Sequence, residues 1–153
     1  MQRTIIEAEF LLSGLSLESK VRFAKISQSD FNAILKLYEG VMSYACHGLF
    51  FREGEALADS IMEVCSKNPD LLECSKKLLI ARGWLEDVSF NDKEVRVKGS
   101  IEVTEGSEKP TCHRLRGLLS RIMEAHAKTS IRLVEVECRS NGGKECVFKQ
   151  EMD

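Results

Sequence analysis

The spacing of apolar residues along the chain changes near residue 84. Before that point it is helical. Phe31, Ile34, Leu35 and Tyr38 recur at helical intervals behind Asp30, a residue suited to a helix N-cap. A longer helical stretch runs on to Cys65 and is interrupted by Gly40, Gly48 and Gly54. Each glycine costs a helix about 1 kcal/mol, so the three predict breaks or close helix approach, with Gly40 placed to end the first helix. Asn68-Pro69-Asp70 is punctuation, and a helix from Leu71 to Arg82 follows, with Gly83 at its C-terminal cap.

After Gly83 the period shortens. Trp84, Val88 and Phe90 alternate, Asn91-Asp92 marks a turn, and Val95, Val97, Ile101 and Val103 continue as strand. Thr104 to Lys109 is a polar loop. Leu115, Leu118, Leu119 and Met123 then share one face of a helix spanning Thr111 to Ala127, with Pro110 in its first turn. Two strands, Ile131–Arg139 and Lys144–Gln150, flank Asn141-Gly142-Gly143. Helices first, then two hairpins on either side of one helix, predict an α+β fold: helices packed on an antiparallel sheet of about four strands. Residues 1–30 mix both periods, and Lys20 to Ile26 alternates like a short strand. They read as an N-terminal extension packed on the domain or on a second subunit, and residues 31–153 read as a single domain.

A chain of 153 residues buries about two-thirds of its unfolded surface, so it needs no metal to have a core. The net charge of −2, with both signs scattered, gives no field for a nucleic-acid backbone. No run of apolar residues is long enough to span a membrane, and Met-Gln-Arg-Thr-Ile-Ile-Glu lacks the apolar core of a signal peptide. The expected location is cytoplasmic, where cysteines stay reduced or bind metal. Six cysteines are too thin a supply for a disulfide scaffold of this size.

The candidate chemistry lies in the last third of the chain. A three-residue loop at Asn141-Gly142-Gly143 sets Cys138 opposite Cys146, close enough to share an ion or to form a redox-responsive bridge. Cys112 sits at the start of the preceding helix, where the helix dipole favours its thiolate. Three thiolates leave a tetrahedral zinc one ligand short, and Glu135 and His113 are the nearest candidates. Strand parity argues against Glu135, because residues three apart on a regular strand face opposite sides. Adjacency argues against His113, since neighbouring helix residues diverge by about 100°. The residues alone leave both open.

The pattern Lys-Pro-Thr-Cys112, then Glu135-Val-Glu-Cys138, then Gly142-Gly143-Lys-Glu-Cys146-Val-Phe148 resembles the 4-vinyl reductase domain family. Gly83-Trp84 and Gly99-Ser100-Ile101-Glu102 fit it too, and the likeness covers Phe31 to Phe148. The resemblance implies a ligand-binding fold like that of TRAPP core subunits and haem-NO-binding domains. It also implies zinc held by Cys112, Glu135, Cys138 and Cys146, which selects Glu135 and in turn predicts a bulge between Glu135 and Cys138. Four protein ligands leave no open position, so such a zinc is structural. Lys144, Arg139 and Arg114 are the cations expected to offset its charge. The implied pocket lies between helices and sheet and takes an apolar small molecule, an aromatic hydrocarbon or lipid-like compound; Tyr44, Trp84 and Leu119 are placed to line it.

The resulting expectation is a stand-alone binding or sensory domain, a homodimer, read by a separate output protein. The alternatives are an accessory component of a tetrapyrrole vinyl-reductase system and a dimeric assembly module without a regulatory ligand. No phosphate loop, metalloprotease helix or nucleophilic triad occurs in the sequence, so no catalytic residue is expected. Cys46, Cys65 and Cys74 lie on apolar helical faces and are expected to pack as thiols, while His47 and His126 have no partner at ligand spacing.

Overall fold

The computed structural model describes residues 22–151, so most of the predicted N-terminal extension lies outside the described residues. Four helices, α1 (Gln28–Met42), α2 (Cys46–Cys65), α3 (Leu71–Ala81) and α4 (His113–Ala127), pack with strands β1 (Asp87–Phe90), β2 (Glu94–Lys98), β3 (Leu133–Glu137) and β4 (Cys146–Gln150). The sheet is antiparallel, in the order β1-β2-β4-β3. The expected α+β architecture is the one observed.

Several element ends differ from expectation for identifiable reasons. Ser27, not Asp30, caps α1: its hydroxyl accepts from the Asp30 amide while the Asp30 carboxylate accepts from the Ser27 amide at 2.8 Å, a reciprocal capping box. Gly40 lies within α1, and the helix ends at Ser43, whose φ is 53°. Asp70 caps α3 through the Glu73 amide, and Gly83 follows its end with φ 79°. The second strand stops at Lys98, so Ile101 and Val103 are not strand residues. Gly99 turns the chain there with φ 64°, and the Ile101 amide bonds back to the Trp84 carbonyl at 3.0 Å.

The core is built around α4. Leu115, Leu118, Leu119 and Ile122 are fully buried, against Ile61 and Ala58 of α2, Leu79 of α3, and Val88, Val95, Val97, Leu133 and Phe148 of the sheet. Helices α2 and α4 approach backbone to backbone through Gly54 and Gly117. A Cβ on Gly54 would collide with the Arg114 carbonyl, and one on Gly117 with the Phe51 carbonyl. Of the three interrupting glycines, Gly54 has the expected role of permitting close approach; Gly40 and Gly48 face open space.

Cys65 and Cys74 are joined in a disulfide between the end of α2 and α3. This corrects the expectation that both pack as thiols. The short α2–α3 connection, punctuated by Asn68-Pro69-Asp70, folds the two helices back so that these two apolar-face positions meet. Cys46 stays a buried free thiol. No helix among the described residues is long and apolar enough to cross a membrane.

Candidate metal centre

Cys112, Cys138 and Cys146 come together from three parts of the chain. Cys112 immediately precedes α4, Cys138 follows β3, and Cys146 opens β4. Their sulfurs are 3.6 Å (Cys112–Cys146), 3.8 Å (Cys138–Cys146) and 4.0 Å (Cys112–Cys138) apart, and all three cysteines are almost completely buried. A tetrahedral ion with metal–sulfur bonds of about 2.3 Å separates its sulfurs by about 3.8 Å. The observed triangle has that size without any adjustment.

The carboxylate of Glu135 completes the set, with one oxygen within 4.8 Å of every sulfur. Its Oε2 accepts from the Cys112 amide at 3.2 Å, and its Oε1 is buried without a hydrogen-bond partner. The strand is bulged where this requires it. Glu135 pairs with Phe148 but Glu137 with Val147, so Val136 is the extra residue and is half exposed. The bulge removes the parity objection to Glu135. His113, the other candidate, turns instead toward Glu39 and His47.

Cys138 and Cys146 are not cross-strand neighbours as expected. The loop between β3 and β4 is longer than three residues: a 3₁₀ turn at Arg139–Asn141 is followed by Gly142 at φ 98°. The Cys138 carbonyl accepts from the Gly143 amide at 2.9 Å and the Asn141 amide at 3.3 Å. A side chain at residue 143 would collide with that carbonyl and with Glu137. The glycine pair therefore builds a knuckle that turns the Cys138 sulfur inward, instead of a tight hairpin.

The donors are held from outside by residues to which the sequence assigned no role at the site. Ser140 is buried, accepts from the Thr104 amide at 3.0 Å and shares a short hydrogen bond with the Thr111 hydroxyl. Ser100 accepts from the Cys112 thiol at 3.3 Å. Glu102 is fully buried and takes the place of a local cap: its carboxylate accepts from the Leu115 amide at 2.8 Å and the Arg114 amide at 3.2 Å. Burial pushes its pKa up to about 7, against the pull of those amides and of the Arg114 guanidinium. The signal that could have found it is the Gly-Ser-Ile-Glu run itself, a lone acid among apolar residues.

The electrostatics of the cluster favour a shared ion. Hydrogen bonds with the Cys112 and then the Cys146 thiol push the Cys138 pKa well below its ordinary value. The Cys112 thiol is held well above its ordinary range by its bonds to Cys138 and Cys146 and by burial. At Cys146 the bond shared with Cys112 pulls downward, but the bond to Cys138 and burial win and push it up to about 12. Burial, reinforced by the Cys138 charge, raises Glu135 to about 9. Burial and the Cys138 charge thus oppose a second negative charge at Glu135.

The expected compensating cations are only partly in place. Arg114 faces away, pairing with Glu53 at 2.9 Å and Glu102 at 3.5 Å and lying over the Phe50 ring at 3.9 Å. Arg116, half-buried and in the field of Glu135, is the cation that sequence reasoning missed. Arg139 and Lys144 border an open cleft of about 690 Å³ that reaches Ser100 and Cys146.

Tyr44, Trp84 and Leu119 do not meet around one cavity. Tyr44 is 59% exposed, Leu119 is solid core, and Trp84 packs at a tilt on Phe31 with ring centroids 5.7 Å apart. Leucines of α4 fill the space between helix and sheet. Beneath α1, Phe31, Leu35, Glu102, Thr111 and Arg114 enclose a cavity of about 10 Å³, room for one water at most.

Residues 93–151 match the family model of the 4-vinyl reductase domain. No curated protein matches the sequence. Among solved structures, the chain is similar to the phenol-responsive sensory domain of the transcription activator PoxR with phenol. The two are 20% identical with a TM-score of 0.68, over 93% of this chain and 89% of that one. It is also similar to a vinyl-4-reductase family protein from Methanocaldococcus jannaschii, 19% identical with a TM-score of 0.62, over 99% of this chain and 92% of that one. Residues 93–151, which carry every donor of the cysteine cluster, are the stretch of the chain that matches the 4-vinyl reductase domain.

Proposed function

We propose that this chain is a small-molecule-binding sensory domain whose C-terminal loop is pinned by a structural zinc at Cys112, Glu135, Cys138 and Cys146. The observation that carries the zinc reading is the donor triangle of 3.6, 3.8 and 4.0 Å beside a buried carboxylate oxygen with no partner. Three thiolates and a carboxylate form a closed shell, which suits a structural ion, and the soft donors favour zinc over magnesium or calcium. Bound there, the ion would tie the start of α4 to the β3–β4 knuckle and carry charge that the pocket otherwise rejects.

The sensory reading is supported by the shared architecture with the PoxR domain, whose ligand is phenol. The ligand space we assign is the small cavity under α1. Aromatic and aliphatic walls from Phe31 and Leu35, with Thr111, Glu102 and Arg114 as polar groups, suit an aromatic molecule carrying a hydroxyl. Its present size admits no such molecule, so binding requires α1 to move outward. That helix is tied to the loop after β2 by few polar contacts, Gln28 to the Val103 carbonyl at 2.9 Å and Thr104 to Asn32 at 2.7 Å.

Native mass spectrometry of the purified chain, followed by calorimetric titration with phenol, tests both parts. One zinc per chain and saturable phenol binding that Arg114→Ala and Phe31→Ala weaken are expected. Protein without zinc removes the first part; phenol binding that neither variant alters removes the second.

A further inference from the structure

A second set of metal-type donors meets where three helices converge. Glu39 belongs to the last turn of α1, His47 to the first turn of α2, and His113 opens α4. One donor atom from each lies within 4.8 Å of the others. His47 Nε2 is 2.7 Å from Glu39 Oε1, and the His47 ring stacks on His113 with centroids 3.7 Å apart and planes 18° from parallel. His113 is 9% exposed, and its Nε2 is buried without a hydrogen-bond partner. Buried polar atoms are nearly always paired, and leaving one unpaired costs on the order of 1–3 kcal/mol. Such an atom, beside a second imidazole and a carboxylate, is a donor available to a shared ion.

We propose that Glu39, His47 and His113 form a second site for a divalent transition-metal ion of the zinc and cobalt class, separate from the cysteine cluster. Two imidazoles and a carboxylate are borderline donors that suit these ions. Three protein ligands leave a coordination position for water or a small donor, so the site is open where the cysteine site is closed. An imidazole lone pair lies in the plane of its ring, so two stacked rings cannot both point at one ion. Binding therefore swings His47 out of the stack. His47 and Glu39 have the freedom for it, with side chains 18% and 33% exposed, while His113 is fixed by its place beside Cys112. An ion there would join α1, α2 and α4 at one point, one residue from the cluster that anchors the β3–β4 loop.

The test adds cobalt(II) to the full chain as isolated, with total metal counted after desalting and the visible spectrum recorded. Expected is one cobalt per chain beyond the metal already present. Its absorption should be the weak ligand-field kind, without the intense thiolate-to-cobalt band that replacement at the cysteines produces. His47→Ala and the shape-preserving Glu39→Gln should each lower cobalt affinity by at least the roughly 10–100-fold that loss of a mere outer-shell partner costs. Cys146→Ser, which addresses the other site, should leave this weak absorption unchanged. Failure to take up extra cobalt, uptake showing only the thiolate band, or full affinity in both His47→Ala and Glu39→Gln would each overturn the proposal. A chain without metal at the cysteines that still binds cobalt with the weak spectrum would remove the structural-zinc reading and leave this one standing.

Discussion

The Cys112 amide donates to Glu135 Oε2 at 3.2 Å, across 23 residues of sequence, and this bond joins the start of α4 to the bulge of β3. The same carboxylate carries the orphaned Oε1, so one side chain both orders the backbone beside the first thiol and offers a donor to a metal. Glu135→Gln retains an oxygen for the amide but loses the negative ligand. It should weaken zinc binding without abolishing it, as read by competition with a chromophoric chelator. Cys138→Ser and Cys146→Ser should lose stoichiometric zinc and several kcal/mol of stability, the scale on which structural metals contribute to folding. Stoichiometric zinc in both serine variants would end the metal assignment.

The crossing of α2 and α4 sets where Cys112 stands. Because Gly54 and Gly117 each lie against the opposing helix backbone, a methyl group at either has no flexible side chain to displace. Gly54→Ala and Gly117→Ala should each destabilise the fold by about 1–3 kcal/mol or more, as overpacking does. Gly40→Ala, in α1 and facing open space, should stabilise by roughly 0.5–1 kcal/mol. Denaturant midpoints of the three variants check this; a neutral result at Gly54 and Gly117 would mean the helices can separate freely.

The helices, the strands and the candidate ligands are legible in the sequence because each rests on a local pattern: helical or alternating spacing, and cysteines beside glycine and proline. The bulge at Val136 is legible only indirectly, as the condition for Glu135 and Cys138 to share a side. What stays hidden depends on long-range placement. Glu102 caps a helix that begins eleven residues later because Gly99 turns the chain back toward α4. His47 meets His113 across more than sixty residues of sequence, and no local spacing encodes that contact. The knuckle escapes a local reading because Asn-Gly-Gly serves a tight hairpin and a close approach to a carbonyl equally well.

Burial raises the Glu102 pKa from the ordinary 4.5 to about 7. The folded chain therefore holds a proton there that the unfolded chain has released, and stability falls as pH rises between about 4.5 and about 7. A shift of this size corresponds to a loss on the order of 3 kcal/mol. Glu102→Gln should flatten the dependence across that window, because the amide keeps an acceptor for the helix and has no proton to lose. Urea midpoints taken across that same pH window measure it. An equal slope in the variant would place the titration elsewhere.

The Cys65–Cys74 bridge closes a loop with a sequence separation of 9. Loop-closure entropy for so short a span predicts that reduction costs roughly 2–3 kcal/mol. The bridge ties α2 to α3 and touches none of the metal donors, so Cys74→Ser should unfold more easily yet keep its zinc, and a mild reductant should then have no further effect on its stability. Alkylation of the denatured, unreduced protein, followed by peptide mass spectrometry, locates the bridge directly: Cys46 should be labelled while Cys65 and Cys74 escape. Labelling of all three would mean that these helices are held together by packing alone, and the reductant would then leave the wild-type midpoint where it was.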